Sequence, residues 1–230
     1  MSLRLPLCVV LLGSALSALA CGGGGGAGGG GAPVTLGPDL SLLAPTNTVT
    51  CQDGYPIQIN AAFPQPFTAQ GATSCLLVTY FNAQPPAAGT VVSANIRVGA
   101  VTGPMRFVRM RILEQAGVGP ACCSAEQYGA VFTPAANSVT NVPLDFSILH
   151  GVDTNTMIAA NDWVGLEVLS ANVPVPGVWT QNGGPDVTLP NYLWLPALSA
   201  RSPATPTLNL RSEGSFGGFL PSFNLVFTPR

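Results

Sequence analysis

The chain has 230 residues, of which 47% are hydrophobic and only 8% are charged. This composition is typical of a folded domain with a neutral surface, and it excludes an intrinsically disordered chain. All eight basic residues are arginines, and the formal net charge of −2 excludes the concentrated positive field that nucleic-acid binding or docking on anionic lipid requires.

The first 20 residues have the pattern of an export signal. Arg4 supplies the positive charge of a short n-region, and the apolar stretch Leu5–Leu19 follows it. A stretch of about 15 apolar residues is too short for a transmembrane helix, which needs about 20. We therefore predict a cleaved signal peptide over residues 1–20 and exclude it from the fold.

Cleavage before Cys21 has two interpretations. Ala18 and Ala20 fit an ordinary signal peptidase, which would release a secreted chain with a free or disulfide-bonded Cys21. Small residues directly before a cysteine also resemble the lipobox of bacterial lipoproteins, although Leu19 is one position closer to the cysteine than the leucine of that family. The resemblance implies that Cys21 is lipidated and anchors the chain in a membrane.

A glycine run, Gly22–Ala32, follows this cysteine and is interrupted only by Ala27 before its end. Such a run is a flexible tether, which suits an anchored protein, and two or three acyl chains would hold it stably. We predict a signal peptide over 1–20, a lipidated cysteine with its tether over 21–35, and a folded domain over 36–230. The expected location is extracytoplasmic, as a lipoprotein of the bacterial outer membrane or cell surface.

The rest of the chain predicts many short strands and little helix. Residues 33–50 are a semi-extended lead-in, and 22 prolines and 27 glycines separate the apolar segments that follow. We predict one helical turn near Asp145–His150. The predicted strands are Pro56–Phe63, Cys75–Phe81, Val91–Val98, Met105–Leu113, Gln127–Phe132, Thr140–Asp145, Trp163–Leu169, Tyr192–Leu195, Leu208–Arg211 and Phe219–Phe227.

Alternation of apolar and polar residues supports three of these strands. Ala94, Ile96 and Val98 alternate with Asn95 and Arg97. Val108, Met110 and Ile112 alternate with Arg109 and Arg111, and Val164, Leu166 and Val168 share the face opposite Glu167. This pattern predicts antiparallel sheets with one solvated face. The fold class predicted is all-β, an antiparallel β-sandwich that is jelly-roll-like.

The stretch Gly89–Leu113 (GTVVSANIRVGAVTGPMRFVRMRIL) and the turn Ala159–Leu166 (AANDWVGL) resemble segments of secreted proteins from GC-rich bacteria. In those proteins one strand leads through a Gly-Pro turn to a strand ending near an arginine, and a small-Gly-Asp-x-Ile-Gly-Leu turn follows. The resemblance covers roughly residues 85–170. It implies a β-sandwich and supplies no activity.

Four cysteines belong to the folded domain: Cys51, Cys75, Cys122 and Cys123. An even count in an exported chain predicts two disulfides, of three conceivable connectivities. A bridge between adjacent cysteines is strained, so we favour pairing Cys122 and Cys123 with Cys51 and Cys75. A four-cysteine metal site is disfavoured because no Cys-x₂₋₄-Cys pair is present.

The sequence offers little for catalysis, and we predict no catalytic residue, no metal site and no cofactor. His150 is the only histidine and sits in an expected turn, and no Gly-x-Ser-x-Gly elbow surrounds a serine. The carboxylates are scattered, and we expect most of them to be solvated. Asp153 and Asn155 with Asn161 and Asp162 could supply oxygen ligands to Ca²⁺, but they lack the spacing of an EF-hand.

Aromatic residues give the only positive indication of ligand binding. Tyr192 and Trp194 alternate with Leu193 and Leu195, so the two rings share one face of a strand, about 7 Å apart. If the leucines face the core, these rings could hold a sugar, and Trp179 could extend the pair. If the strand is buried on both faces, all three are core residues.

Two functions follow from these observations. The first is a membrane-anchored lipoprotein whose β-sandwich has a structural, adhesive or envelope-interaction role without catalysis. The alternative is a carbohydrate-binding domain that uses Trp179, Tyr192 and Trp194, with or without calcium. The expected partners are the membrane through the lipid anchor, and a glycan or an envelope protein.

Overall fold

The structure is a computed structural model that describes residues 31–44, 50–51, 73–79, 84–115, 119–153, 158–179, 191–194, 214–216 and 219–230. Within these ranges every regular element is a β-strand, and all paired strands are antiparallel. The all-β class and the antiparallel pairing predicted from the sequence are therefore confirmed.

The described residues form thirteen strands, numbered here in chain order. They are β1 (Val34–Leu36), β2 (Cys75–Thr79), β3 (Gly89–Arg97), β4 (Met105–Gln115), β5 (Gly119–Tyr128), β6 (Val139–Ile148), β7 (His150–Asp153), β8 (Ile158–Val168), β9 (Gly177–Trp179), β10 (Asn191–Trp194), β11 (Gly214–Phe216), β12 (Phe219–Pro221) and β13 (Phe223–Pro229).

Most predicted strands that fall on described residues are found, and two predictions are wrong. The strand predicted at Gln127–Phe132 is wrong, because β5 runs from Gly119 to Tyr128. The helical turn predicted near Asp145–His150 is also wrong, because β6 continues to Ile148 and β7 begins at His150. The strands predicted at Pro56–Phe63 and Leu208–Arg211 lie outside the described residues.

The strands are arranged in three hydrogen-bonded sheets. A four-stranded sheet has the order β1-β13-β3-β6, and a seven-stranded sheet has the order β11-β10-β2-β8-β4-β5 with β7 also paired to β8. Strands β12 and β9 form a separate two-stranded ladder. Sequence neighbours β3 and β4 lie in different sheets, as do β5 and β6, so the chain crosses repeatedly between the sheets.

One hydrophobic core joins the two large sheets. The Phe107 ring of β4 meets the Phe223 ring of β13 edge-on, with centroids 5.5 Å apart, and stacks on Phe132 at 5.7 Å. Phe146 and Phe227 complete a cluster of nearly inaccessible rings. Burying side chains of this size is the main favourable term in such a core, at about 2–3 kcal/mol each.

The burial pattern corrects part of the predicted alternation. In β3, Ala94 and Ile96 are buried while Asn95 and Arg97 are partly exposed, as predicted. In β4 the residues that belong to the shared core are Met105 and Phe107, which have the same parity as Arg109 and Arg111. Over residues 107–110, the side chains on both faces of β4 are therefore buried, and only Arg109 is partly exposed.

The seven-stranded sheet also lacks the solvated face that was predicted for β8. Glu167 lies opposite the core-facing side of β8, yet it is fully buried, and Trp163 on the same side is 8% exposed. Leu76, the cross-strand neighbour of Glu167, is buried as well. Alternation within one strand identifies which residues share a face, but it does not reveal whether another segment covers that face.

The backbone of β8 is hydrogen-bonded along one side by two different strands and by one side chain. β2 pairs with Gly165–Val168 and β7 pairs with Ile158–Asn161, which leaves a short gap between them. Gln84 fills this gap, because its side-chain amide donates to the Val164 carbonyl at 3.2 Å and accepts from the Val164 N–H at 2.8 Å. The buried backbone therefore remains satisfied where neither strand reaches it.

Candidate functional site

The predicted tether joins the fold at one end of the four-stranded sheet. The Gly31 N–H donates to the Pro229 carbonyl at 3.0 Å, and β1 then pairs along β13 from Val34 opposite Phe227. Residues 34–35, which the sequence assigned to the tether, therefore lie in the sheet. The signal peptide and Cys21 lie outside the described residues, so lipidation stays a prediction.

The disulfide connectivity differs from the one favoured from the sequence. Cys51 is bonded to Cys75, with their Cα atoms 5.5 Å apart, and both residues are fully buried. The predicted pairing of these two cysteines with Cys122 and Cys123 is therefore wrong. Cys122 and Cys123 lie in β5, and their side chains are outside the described part of the structure.

The three aromatic residues proposed for ligand binding do not lie in one sheet. Tyr192 and Trp194 belong to β10, opposite Val78 and Leu76 of β2. Trp179 belongs to β9 and pairs with β12 in the separate ladder. The side chains of all three are outside the described residues, but Val78 and Leu76 are buried. The proposed ligand-binding role of these aromatic residues therefore stays a prediction.

The most organised group of charged residues surrounds Asp162 of β8. Its side chain is fully buried and lies between Arg109 and Arg111 of β4. Arg109 Nη1 donates to Asp162 Oδ2 at 2.7 Å, and Arg111 Nε donates to Oδ1 at 3.0 Å. The hydrogen bond from Arg111 to Asp162 is the main cause that raises the pKa of this arginine.

Asp162 also binds the backbone where the chain crosses between sheets. Leu149 links β6 of the four-stranded sheet to β7 of the seven-stranded sheet. Its N–H donates to Asp162 Oδ2 at 2.9 Å, and its carbonyl accepts the Asp162 N–H at 3.0 Å. One carboxylate thus ties the crossover to two arginines. Because both of its oxygens accept hydrogen bonds from cations, the calcium-ligand role considered for Asp162 is not supported.

A second buried carboxylate lies on the opposite face of the same sheet. Arg106 of β4 forms an ion pair with Glu167, whose side chain is 1% exposed. The Arg106 guanidinium carbon also lies 4.2 Å from the centre of the Tyr128 ring in a cation–π contact. Burial, followed by the nearby Glu167 charge, raises the pKa of the Tyr128 hydroxyl.

These two buried carboxylates are exceptions to the expectation that most acidic residues are solvated, whereas Asp39, Glu126 and Asp145 are exposed. The cross-strand neighbours of the two buried carboxylates explain the burial: Arg106 stands opposite Glu167 and Arg111 stands opposite Asp162. The sequence signal was the set of three arginines in one strand, which require anionic partners when the strand is buried on both faces. Glu126 of β5, whose Oε2 lies 3.9 Å from Arg111 Nη1, supplies a third carboxylate, so the three arginines face three carboxylates within the sheet. The arrangement stabilises and aligns the strands.

A chain of asparagine side chains crosses the four-stranded sheet. Asn141 Nδ2 donates to Asn95 Oδ1 at 2.8 Å, and Asn95 Nδ2 donates to Asn224 Oδ1 at 2.9 Å. Asn224 then donates to the Pro38 carbonyl at 3.0 Å. The ladder fixes the register of three strands and ties the segment after β1 to the sheet, so its amides are engaged within the fold.

The structure describes the position of the single histidine and the grouping of metal-ligating residue types. His150 is exposed at the start of β7, opposite Asn161. Among the described residues, no group of three or more His, Cys, Asp or Glu side chains is placed to hold a metal ion. No helix among them has the length and apolar character that crossing a bilayer requires.

Comparison with known proteins adds nothing to these observations. No protein-family model, no curated protein and no solved structure matches the chain.

Proposed function

We propose that this chain is a membrane-anchored extracytoplasmic lipoprotein, whose folded domain has a structural, adhesive or envelope-interaction role and no catalytic activity. The observation that carries the proposal is the sequence Ala18-Leu19-Ala20-Cys21 followed by a glycine run that ends at Gly31, beside the last residues of β13. A tether entering at the end of a sheet can lead to a bilayer without crossing the domain.

The domain is further proposed to be a jelly-roll sandwich. Eight strands support this topology: β1-β13-β3-β6 form one sheet, and β2-β8-β4-β5 are consecutive in the other. Along the chain, every step between these eight strands except that from β4 to β5 passes to the other sheet, which is the connectivity of two interlocked Greek keys. The core shared by Phe107 and Phe223 supports packing of the two sheets face to face. The segment between β8 and β13 would then be an insertion that adds β10 and β11 to one edge.

The buried Cys51–Cys75 disulfide is consistent with export, because disulfides persist in oxidising compartments and are rare in the cytosol. The described carboxylates at Asp162 and Glu167 are engaged with arginines, which gives them a structural role. Both points support an exported, non-enzymatic domain.

Lipidation is tested by expressing the full chain in a bacterium with lipoprotein processing, then separating detergent and aqueous phases. We expect a mature chain that begins at Cys21, partitions into detergent and has an intact mass raised by its acyl chains. The Cys21→Ala variant should move to the aqueous phase. Cys8→Ser is the matched control, because Cys8 is removed with the signal peptide and the variant should behave as the parent chain.

The amino-acid composition provides a second readout. The chain has no lysine, so the mature protein has a primary amine only at its N-terminus. An N-acylated Cys21 would leave no amine for a reactive dye, whereas an unmodified secreted chain would take one dye molecule. A mature chain in the aqueous phase with an unmodified Cys21 would exclude the lipoprotein function.

The carbohydrate-binding alternative stays a prediction. It requires that the side chains of Tyr192 and Trp194 be exposed to solvent. Polysaccharide pull-down with the parent chain and with Tyr192→Ala and Trp194→Ala tests it, since retention that both substitutions remove would favour a glycan partner.

A further inference from the structure

The Cys51–Cys75 bond removes both of its cysteines as partners for the adjacent pair Cys122 and Cys123. The chain has two other cysteines: Cys8 lies in the predicted signal peptide, and Cys21 is the proposed acylation site. An acylated thiol forms no disulfide, so within one mature chain Cys122 and Cys123 have only each other as partners. This step rests on the proposed function, because it takes the thiol of Cys21 as occupied.

The backbone of β5 departs from a regular strand at these two residues. Cys122 lies opposite Ile112 of β4 and Ser124 lies opposite Arg111, so Cys123 is the extra residue of a β-bulge. In a regular strand successive side chains point to opposite faces, which keeps adjacent sulfur atoms apart. A bulge interrupts this alternation and re-aims side chains. The register at this position therefore suits a bond between adjacent cysteines better than a regular strand does.

The bulge lies in the terminal strand of its sheet. β5 ends the order of the seven-stranded sheet, and among the described strands it pairs only with β4. Glu126 is the extra residue of a second bulge in the same strand, where Gln127 pairs with Arg109 and Ala125 with Met110. Bulges are frequent at sheet edges and beside functional sites. A small oxidant or reductant can therefore approach β5 from the side that no described strand covers.

We propose that Cys122 and Cys123 form a disulfide with each other and that this bond is a reversible redox site. The thiolate of one cysteine attacks a disulfide oxidant, which releases one thiol and leaves a mixed disulfide. The thiolate of the other cysteine then attacks the mixed disulfide and releases the second thiol. The pair loses two electrons and two protons, which leave with the two thiols of the oxidant. A dithiol reductant reverses both steps.

This bond opens more easily than the Cys51–Cys75 bond. Adjacent Cα atoms lie about 3.8 Å apart, closer than the roughly 4.4–6.8 Å of ordinary disulfides, so closing the ring strains it. Strained disulfides are reduced more readily than structural ones and serve in regulation or exchange. The cysteines of the Cys51–Cys75 bond are 24 positions apart in the chain, their Cα atoms are 5.5 Å apart, and both are fully buried. The two disulfides therefore have different roles, one stabilising the fold and one responding to redox conditions.

The test measures both bonds in one sample of the full-length chain, purified from the envelope of an expressing bacterium. After acid quenching, free thiols are labelled with N-ethylmaleimide in denaturant and the chain is digested with trypsin. The peptide 112–201 contains Cys122 and Cys123, and the peptide that ends at Arg97 contains the Cys51–Cys75 bond. In parallel, the folded chain is treated with graded dithiothreitol before labelling. Cys123→Ser is the matched variant, because it removes one sulfur atom and leaves Cys122 in place.

We expect the 112–201 peptide of the untreated chain to carry no label and to take two labels after reduction. Its bond should open at a dithiothreitol concentration roughly tenfold lower than the Cys51–Cys75 bond requires. The Cys123→Ser chain should carry one label on Cys122 without any reductant. The proposal is overturned by labelled thiols in the untreated peptide, by opening of both bonds at the same concentration, or by a disulfide that joins two chains.

Intact mass of the same sample reports acylation of Cys21 separately. An acylated chain with a labelled 112–201 peptide removes only the redox site. A disulfide between Cys21 and either residue of the pair removes both the redox site and the lipid anchor. An unacylated chain whose pair is closed removes the anchor alone and supports the redox site.

Discussion

Asp162 shows how one residue can stabilise several elements at once. Its carboxylate accepts hydrogen bonds from Arg109, Arg111 and the Leu149 N–H, and so joins β4, β8 and the crossover between the sheets. The two arginines are only 14% and 27% exposed. Without the carboxylate, two largely buried cations would face each other with no anion between them.

We therefore expect Asp162→Asn to lower the free energy of unfolding by about 3 kcal/mol, the lower part of the range for breaking a buried ion pair. The amide keeps the shape of the side chain, so the loss would report charge rather than volume. Urea denaturation measures it, with Asp145→Asn as the control because Asp145 is exposed on β6. Equal denaturation midpoints for the two variants would show that the charge of Asp162 does not stabilise the fold.

Tyr128 provides a titration that reports on the other buried carboxylate. Burial and the Glu167 charge raise the pKa of its hydroxyl, and the Arg106 cation opposes them. The unfolded tyrosine ionises near pH 10. Above that pH the folded state retains a proton that the unfolded state has lost, so the contribution to stability is full below pH 10 and falls as pH rises.

The ionisation of Tyr128 is measured as the ultraviolet absorbance difference between the parent chain and Tyr128→Phe. We expect this difference to titrate above the range of an ordinary tyrosine. Glu167→Gln should move the titration toward lower pH, because it removes a negative charge that disfavours the phenolate. A Tyr128 that titrates at pH 10 in both chains would contradict the described environment.

At the scale of the strands, Gly89 is placed where no other residue fits. A Cβ at this position would lie 2.4 Å from the Thr228 carbonyl oxygen and 2.5 Å from the Phe227 ring, both in the neighbouring β13. Because the first contact is backbone, the strands would have to separate. We expect Gly89→Ala to cost about 2–3 kcal/mol by overpacking.

Gly129 offers a graded comparison for this prediction. Its nearest contact to an added Cβ is a Leu144 methyl group at 3.2 Å, which can move more easily than backbone. Gly129→Ala should therefore have the smaller effect on the thermal midpoint. If Gly89→Ala is the milder of the two, the close approach of β3 and β13 is not as described.

The same elements show which parts of the fold the sequence could reveal. β3 was predicted well because its outer residues remain partly exposed, so composition alternates with burial. β5 was placed too late because its residues are small or polar, and two register shifts against β4 interrupt any period of two. The end of β6 was missed because the chain passes from one sheet to the other through Leu149 without a Gly-Pro turn.

The charged clusters were harder to predict for a different reason. Asp162 lies 51 residues from Arg111 along the chain, and Glu167 lies 61 residues from Arg106. Such pairs depend on the register between two strands, and a short stretch of sequence does not reveal which distant strand lies beside it. The arginines in β4 were a visible signal, but the partners could be identified only once β8 was known to lie beside β4.

At the scale of the whole molecule, the disulfide ties the segment before β2 to the first residue of β2, an interior strand of the seven-stranded sheet. The bond joins residues 24 positions apart, and Cys75 pairs with Val168 of β8. Trypsin can verify this connectivity directly, because the chain has no lysine and no arginine between Arg4 and Arg97. Cys51 and Cys75 therefore fall in one tryptic peptide, and Cys122 and Cys123 fall together in another, after Arg111.

We expect non-reducing digestion to leave these two tryptic peptides separate, since the Cys51–Cys75 bond is internal to the first. A cross-linked pair of peptides would contradict this connectivity and restore the pairing favoured from the sequence. Replacing both Cys51 and Cys75 with alanine should lower the free energy of unfolding by about 3 kcal/mol, because opening a loop of this length frees the unfolded chain. The double variant avoids leaving an unpaired buried thiol, and Cys8→Ser is its control. A change below about 1 kcal/mol would mean that the unfolded segment is already compact without the bond.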